Sequence, residues 1–153
     1  MIQRIQSVYL LLAAIAIALI FFFPLAGLSV NNQYFIFNYR GLYEVIGAKE
    51  MIISTSYILA VLLSISLLIS IFTIFKYNNR KFQMKLCLVN IFLLLASAGL
   101  GFYFISTTSS ALKAEIHYQF VHVMPFIAII LSFLAYKGIQ KDEKLIKSID
   151  RIR

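Results

Sequence analysis

The sequence predicts an all-α membrane protein: a bundle of four transmembrane helices with a small β-hairpin outside the membrane, between helices 1 and 2. Composition is the first observation that predicts it, because 61% of the 153 residues are apolar and only 13% are charged. Soluble domains have roughly 45–50% apolar and 25% charged residues. The second is that the apolar residues form long runs rather than amphipathic patterns. A run of about 20 apolar residues is enough to cross a lipid core as a helix.

A short basic segment in the middle of the chain, residues 76–85, sets the predicted orientation. It contains no acid and four cations: Lys76, Arg80, Lys81 and Lys85. Lys and Arg are retained on the cytoplasmic side of a membrane, so this segment is predicted to be a cytoplasmic loop. With both termini also in the cytoplasm, eleven of the 14 Lys and Arg residues lie inside and three lie outside.

The first predicted span covers residues 5–28, which carry no charge. A cleaved signal peptide is the alternative, but the apolar stretch exceeds the roughly 7–15 residues of a signal-peptide core, and no A-x-A cleavage site follows Pro24. We therefore predict an uncleaved helix that Pro24 kinks or ends.

Residues 29–50 form the predicted outer loop. Residues 33–38 are rich in β-formers, and Asn38 and Gly41 bound a turn signal, so we expect a two- or three-stranded hairpin that leans on the helix ends. Its aromatic side chains suit the membrane interface and are candidates for interaction with a partner. They are Tyr34, Phe35, Phe37, Tyr39 and Tyr43.

The other three spans are predicted at residues 51–75, 86–105 and 118–136. With the first span and the loops they make up a transmembrane domain over residues 1–137. Residues 138–153 form a charged tail whose apolar side chains fall largely on one helical face. We expect a short amphipathic helix there, lying on the cytoplasmic surface with its basic side chains toward anionic lipid.

Small and weakly polar residues recur four positions apart within the predicted spans. Ser66 and Ser70 form one such pair, and Ser97 and Gly101 form another. Asn90 shares a helical face with the second pair and is predicted to hydrogen-bond across helices. Such residues let helices approach closely in lipid, either inside the bundle or against a partner helix, and both alternatives stay open.

Candidate chemistry is sparse. Glu115, His117 and His122 cluster near a predicted membrane boundary, and Glu115 and His122 are weak candidates for a metal or proton site against a simpler role at the interface. No Asp, Glu, Lys or Arg lies in the middle of a predicted span, which disfavours ion-coupled transport. We therefore expect no catalytic site, no resident metal and no cofactor.

The opening ten residues, M-I-Q-R-I-Q-S-V-Y-L, together with the four spans and the basic middle loop, resemble an uncharacterised family of small bacterial inner-membrane proteins with four helices. The resemblance covers nearly the whole chain and implies the bacterial inner membrane, but it brings no activity and no catalytic residues. A weaker likeness is to the claudin-type tetraspan plan, because Gly41-Leu42-Tyr43 stands where that family has a Gly-Leu-Trp motif. The tryptophans and paired cysteines of claudins are absent.

The leading functional interpretation is a non-enzymatic accessory or scaffold subunit of a larger inner-membrane complex, serving protein export or envelope biogenesis. The expected partners are membrane lipids and other integral membrane proteins. Nucleic acid is not expected, because the basic residues lie at the ends of apolar runs rather than on a soluble face. The alternatives are a small transporter or a lipid- or quinone-binding bundle, and a membrane enzyme that uses Glu115 and His122.

Overall fold

The computed structural model describes residues 3–30, 33–46, 49–77 and 79–150. Within these residues the chain forms four α-helices, five β-strands and one short 3-10 helix, Phe120–Val123. The helices are α1 (Gln3–Phe22), α2 (Tyr57–Phe75), α3 (Arg80–Leu112) and α4 (Met124–Asp150). The strands are β1 (Ala26–Val30), β2 (Gln33–Asn38), β3 (Gly41–Ile46), β4 (Lys49–Thr55) and β5 (Glu115–Tyr118).

The prediction of an all-α fold with a small hairpin is wrong, because the five strands form one antiparallel sheet in the order β4-β3-β2-β1-β5. The first four strands come from the connection between α1 and α2, and β5 comes from the connection between α3 and α4. β1 pairs with both β2 and β5 and so joins the two connections. The protein is therefore a mixed helix and sheet structure, with the sheet at one end of the helices.

The strands replace the ends of three predicted spans: the first and second by several residues, and the fourth at Tyr118 alone. α1 ends at Phe22 instead of residue 28, because Pro24 lacks an N–H and disfavours helical geometry in the residue before it. α2 begins at Tyr57 instead of residue 51, because residues 49–55 pair with β3. A short apolar run rich in β-branched residues suits a buried helix or a strand equally well, so tertiary pairing decides between them.

The helices form a ring in which α1 packs against α2 and α4, and α3 packs against the same two neighbours. Each buried face repeats at intervals of three or four residues, as on α2, where it consists of Leu59, Leu63, Ser66, Ser70 and Thr73. Large apolar side chains cover the exposed faces. All four helices are long and apolar enough to cross a membrane, which indicates a membrane protein.

A single hydrophobic cluster joins the sheet to the helices. Leu28, Phe35 and Leu42 contribute to it from β1, β2 and β3. Ile20 of α1 and Ile105 of α3 are fully buried in the same cluster. Because the sheet shares its core with the helices, it is a fixed part of the fold rather than a hairpin lying on the surface.

The predicted tail is not a separate surface helix in the described residues, because α4 continues through it without a break. Ile139 is fully buried against α1, and the Gln6 Nε2 group donates to the buried Asp142 carboxylate. Gly138 leaves the space for this contact, since a Cβ atom there would lie 2.9 Å from Gln6 Cγ. Packing against α1 therefore extends the last helix, and residues 151–153 lie outside the described part of the chain.

Candidate functional site

Asn90 is the centre of a buried polar cluster that links three helices. Its Oδ1 atom accepts a hydrogen bond from Ser66 Oγ of α2 at 2.6 Å. Its Nδ2 group donates to Ser70 Oγ of α2 at 2.9 Å and to Ser132 Oγ of α4 at 3.4 Å. Among the described residues, no buried side-chain nitrogen or oxygen lacks a hydrogen-bond partner. The cluster therefore holds α2 and α4 to α3.

Ser97 and Gly101 do not join this cluster. Ser97 Oγ donates to the Leu94 carbonyl of its own helix at 2.9 Å, and a Cβ atom on Gly101 would meet nothing within 4 Å. Both residues line a narrow crevice of about 10 Å³ that His122 also borders. Small-molecule sites usually occupy roughly 300 Å³ or more, so this crevice does not support the transporter or quinone-binding alternatives.

The two metal candidates lie in and just after β5. Glu115 is exposed at its first residue, and His122 lies in the 3-10 helix that follows, with its ring 4.9 Å from the ring of Tyr118. Between them, His117 Nε2 lies 3.1 Å from Ser29 Oγ. Within the described residues, no three His, Cys, Asp or Glu side chains are grouped so that they could hold a metal ion. The described residues therefore do not bring Glu115 and His122 together with a third metal ligand.

The four cations predicted to set the topology lie at the end of the helices opposite the sheet. Lys76 follows α2, and the other three, Arg80, Lys81 and Lys85, lie on the first turns of α3. Lys76 Nζ lies 5.3 Å from the ring centroid of Phe72, and Lys137 Nζ lies 5.5 Å from that of Phe133. Long basic side chains extend in this way from apolar surface toward headgroups. The molecule therefore has a basic end and a sheet end.

The five aromatic residues of the predicted outer loop have different environments. Phe35 and Phe37 are only 5% and 4% exposed and belong to the core, so neither offers a surface to a partner. Tyr34 is exposed, and its hydroxyl lies over Gly27. Tyr39 and Tyr43 are half-buried and line a groove. The tyrosines, and not the phenylalanines, are thus the accessible part of this set.

We call this space the Arg40 groove; its volume is about 470 Å³. It is lined by Phe21, Tyr39, Arg40, Tyr43, Ile52, Thr55, Tyr57, Ala60 and Ser64. These residues come from the end of α1, the β2–β3 turn, β3, β4 and the first turns of α2. Arg40 is the one cation among the lining residues that the structure describes, and none of them is acidic. The groove therefore combines a positive charge, several hydroxyls and apolar walls.

The turn that carries Arg40 is held against both neighbouring helices. The Ser56 N–H donates to the Arg40 carbonyl at 2.8 Å, which joins the turn to the start of α2. The Tyr39 ring packs edge-on against Phe21 of α1, with ring centroids 4.8 Å apart. The Arg40 guanidinium carbon lies 5.3 Å from the Tyr39 ring centroid, and the Arg40 side chain is exposed. The Arg40 guanidinium is therefore exposed to solvent or lipid, while hydrogen bonding and ring packing hold its backbone in place.

The two edges of the sheet differ in character. β5 has four residues and includes the polar Glu115 and His117. β4 has seven residues, and Met51, Ile52 and Ile53 are 58%, 62% and 49% exposed. In the described part of the chain, no strand pairs with the outer edge of β4. An exposed apolar edge strand with free backbone N–H and C=O groups is a template for pairing with another strand.

Sequence reasoning missed two parts of this surface. Arg40 is one of the three Lys and Arg residues predicted to lie outside, and residues 51–57 fall inside the predicted second span. The β-branched side chains of Ile52, Ile53 and Thr55 were an available signal for a strand. No comparable signal in the sequence shows that the β2–β3 turn packs between the ends of α1 and α2.

Comparison with known proteins identifies a family but no activity. None of the curated proteins compared with the chain matches it. The family described as "Domain of unknown function (DUF4293)" matches residues 2–152. The predicted resemblance to an uncharacterised family is thereby confirmed, and the chain belongs to the DUF4293 family.

Proposed function

We propose that this protein is a non-enzymatic accessory or scaffold subunit of the bacterial inner membrane, and that it binds a partner membrane protein through the outer edge of β4. The observation that carries the proposal is the exposed apolar edge of that strand. The orientation is part of the proposal: both termini and the basic end lie in the cytoplasm, and the sheet lies outside. It is supported by the asymmetry of eleven against three Lys and Arg residues.

The occupant that fits this edge is an extended segment of a second integral membrane protein. Strand addition uses main-chain hydrogen bonds for affinity and side-chain contacts for specificity, and both are available along β4. β4 runs directly into α2, so the edge lies next to the membrane boundary. A partner segment adjoining its own transmembrane helix therefore reaches it without a long linker. The polar β5 edge offers no equivalent apolar surface.

Replacing Met51 with lysine is expected to abolish co-purification of the partner in mild detergent while leaving the protein folded. A lysine on an exposed edge strand discourages pairing with another strand. Met51 pairs with Glu44 of β3, so the new lysine also gains an opposite charge across the strands. The matched control is His117→Lys on the β5 edge, which is expected to keep the partner. Loss of the partner in both variants, or in neither, would contradict the proposal.

A photo-crosslinking residue at Ile53 gives a direct reading of the same contact. We expect one discrete adduct with a second membrane protein from that position, and none from the same residue placed at Tyr118 on β5. An adduct only with another copy of this chain would contradict the accessory role. Equal adducts from both edges would contradict the assignment of the contact to β4.

A further inference from the structure

We infer that the Arg40 groove binds one phospholipid from the leaflet on the sheet side of the membrane. The lipid phosphate lies at the Arg40 guanidinium, and one acyl chain runs along α2. This inference does not depend on the proposed contact at β4, nor on which side of the membrane the sheet faces.

The first support is the position of Arg40 relative to the membrane. Its turn packs beside Phe21, at the end of α1, and beside Tyr57, which begins α2. Both helices are long and apolar enough to span, and Tyr57 is 66% exposed. Exposed aromatic side chains at the ends of spans mark the headgroup zone. The guanidinium therefore lies at the depth of lipid phosphates.

The upper part of the groove has the chemistry of a phosphate site. A planar guanidinium can donate two parallel hydrogen bonds to phosphate oxygens. Tyr43, Tyr57 and Thr55, each of which carries a hydroxyl, line the same space. Contact with the Tyr39 ring restricts the Arg40 side chain before a ligand arrives. Because no described lining residue is acidic, no carboxylate within the groove competes with a phosphate for the cation.

The lower part of the groove suits an acyl chain. Its walls include Phe21 of α1 and Ala60 of α2, which are apolar, whereas Ile52 lies across from Tyr43 at the sheet end of the groove. Ser64 also lines it, but its Oγ donates to the Ala60 carbonyl of its own helix at 2.7 Å, so its hydroxyl is already used. Ser64 lies roughly 10 Å along α2 from Tyr57, at 1.5 Å per helical residue. The groove therefore extends from the headgroup zone into the hydrocarbon.

Arg40 distinguishes the groove from a neighbouring recess, which also has aromatic walls but no described charge. This recess of about 270 Å³ shares Phe21 and Tyr39 with it and is otherwise lined by Phe22, Phe23, Pro24, Ile36 and Asn38. No charged residue occurs among these described lining residues. A phospholipid that selects between the two spaces by its phosphate therefore occupies the Arg40 groove.

Native mass spectrometry of the full-length protein, released from micelles that contain phosphatidylglycerol, tests the phosphate contact. We expect one retained lipid on the unaltered protein and about tenfold weaker retention on Arg40→Gln, the effect of losing one charge-assisted hydrogen-bonded pair. Arg40→Lys is expected to lose less. The matched control is Lys113→Gln, which removes an exposed cation at the sheet end of α3, outside the groove. Equal retention by all variants, or equal loss in Arg40→Gln and Lys113→Gln, would overturn the inference.

A second set of measurements separates a lipid from a free anion. Ala60→Phe fills the lower groove without touching the charge and is expected to lower phosphatidylglycerol retention as Arg40→Gln does. Diacylglycerol, which lacks the phosphate, is expected not to be retained, and inorganic phosphate is expected not to displace the lipid. Unchanged retention by Ala60→Phe, or displacement by inorganic phosphate, would show an anion site without an acyl chain and would overturn the inference. Each variant is also heated, and a melting temperature close to that of the unaltered protein confirms that its fold is intact.

Discussion

Replacing Gly41 with alanine is expected to destabilise the protein by about 3 kcal/mol. Gly41 has a φ angle of +141°, which residues with side chains rarely adopt. A Cβ atom there would lie 2.0 Å from the Ser54 carbonyl oxygen and 2.9 Å from Thr55 Cα. Both are backbone atoms of β4, so the clash is relieved only by breaking the pairing between β3 and β4.

The single cysteine provides the measurement. Cys87 is buried, so a thiol-reactive dye labels it when the helices separate on heating in detergent. The matched control is Gly99→Ala on α3, where the added Cβ meets nothing within 4 Å. Alanine is favoured over glycine in a helix by up to about 1 kcal/mol, so this control is expected to unfold at the same temperature or higher. If Gly41→Ala unfolded at the same temperature as the unaltered protein, the β3–β4 geometry would be contradicted.

Replacing Asn90 with leucine is expected to destabilise the helix bundle by about 1–2 kcal/mol, although leucine fills a similar volume and suits lipid better. The change removes the hydrogen bonds that Asn90 makes with Ser66 and Ser70 of α2 and with Ser132 of α4. Ser70 keeps its bond to the Ser66 carbonyl at 3.0 Å, which limits the loss. The variant loses the hydrogen bonds that join α3 to α2 and α4, so its melting temperature is expected to fall. Circular dichroism on heating measures that temperature.

Ser97→Ala on the same helix is the control for this change. Ser97 is also buried, but its hydroxyl bonds only to the Leu94 carbonyl of its own helix. We expect its melting temperature to stay within experimental error of the unaltered protein. If the two variants were equally destabilised, burial of a polar group on α3 would explain the effect, and the cross-helix cluster would not.

The sequence indicates the helices well because membrane spans are long and their signal is simple. The uncharged apolar runs before Lys76 and after Lys85 are long enough to predict helices that cross a membrane. The sequence predicts too little of the sheet for the opposite reason. Its fifth strand has only four residues, Glu115–Tyr118, and becomes a strand by pairing with β1, from which it is separated by two spans. Local patterns carry no information about such a distant partner.

The candidate sites show the same division between local and tertiary information. Helical spacing puts Asn90 on a face with Ser97, but it does not show which residues of α2 and α4 meet that face. Alternation along β2 groups Phe35 and Phe37 on one side, but only their packing shows that this side is the core. Arg40 is visible in the sequence as one charge beside a turn. Its importance depends on two helix ends and four aromatic residues that are brought together only by the complete fold.

Cysteine accessibility in intact cells is the most direct test of the central claim, that four helices cross the membrane with the sheet on one side and the basic end on the other. The background is Cys87→Ser, and single cysteines replace exposed residues: Tyr34 on the sheet, Lys81 at the start of α3 and Lys141 on α4. We predict that a membrane-impermeant maleimide labels Tyr34→Cys in intact cells, and labels the other two only after the membrane is opened. Labelling of Lys81→Cys in intact cells together with Tyr34→Cys, or a chain that stays in solution without detergent, would contradict the claim.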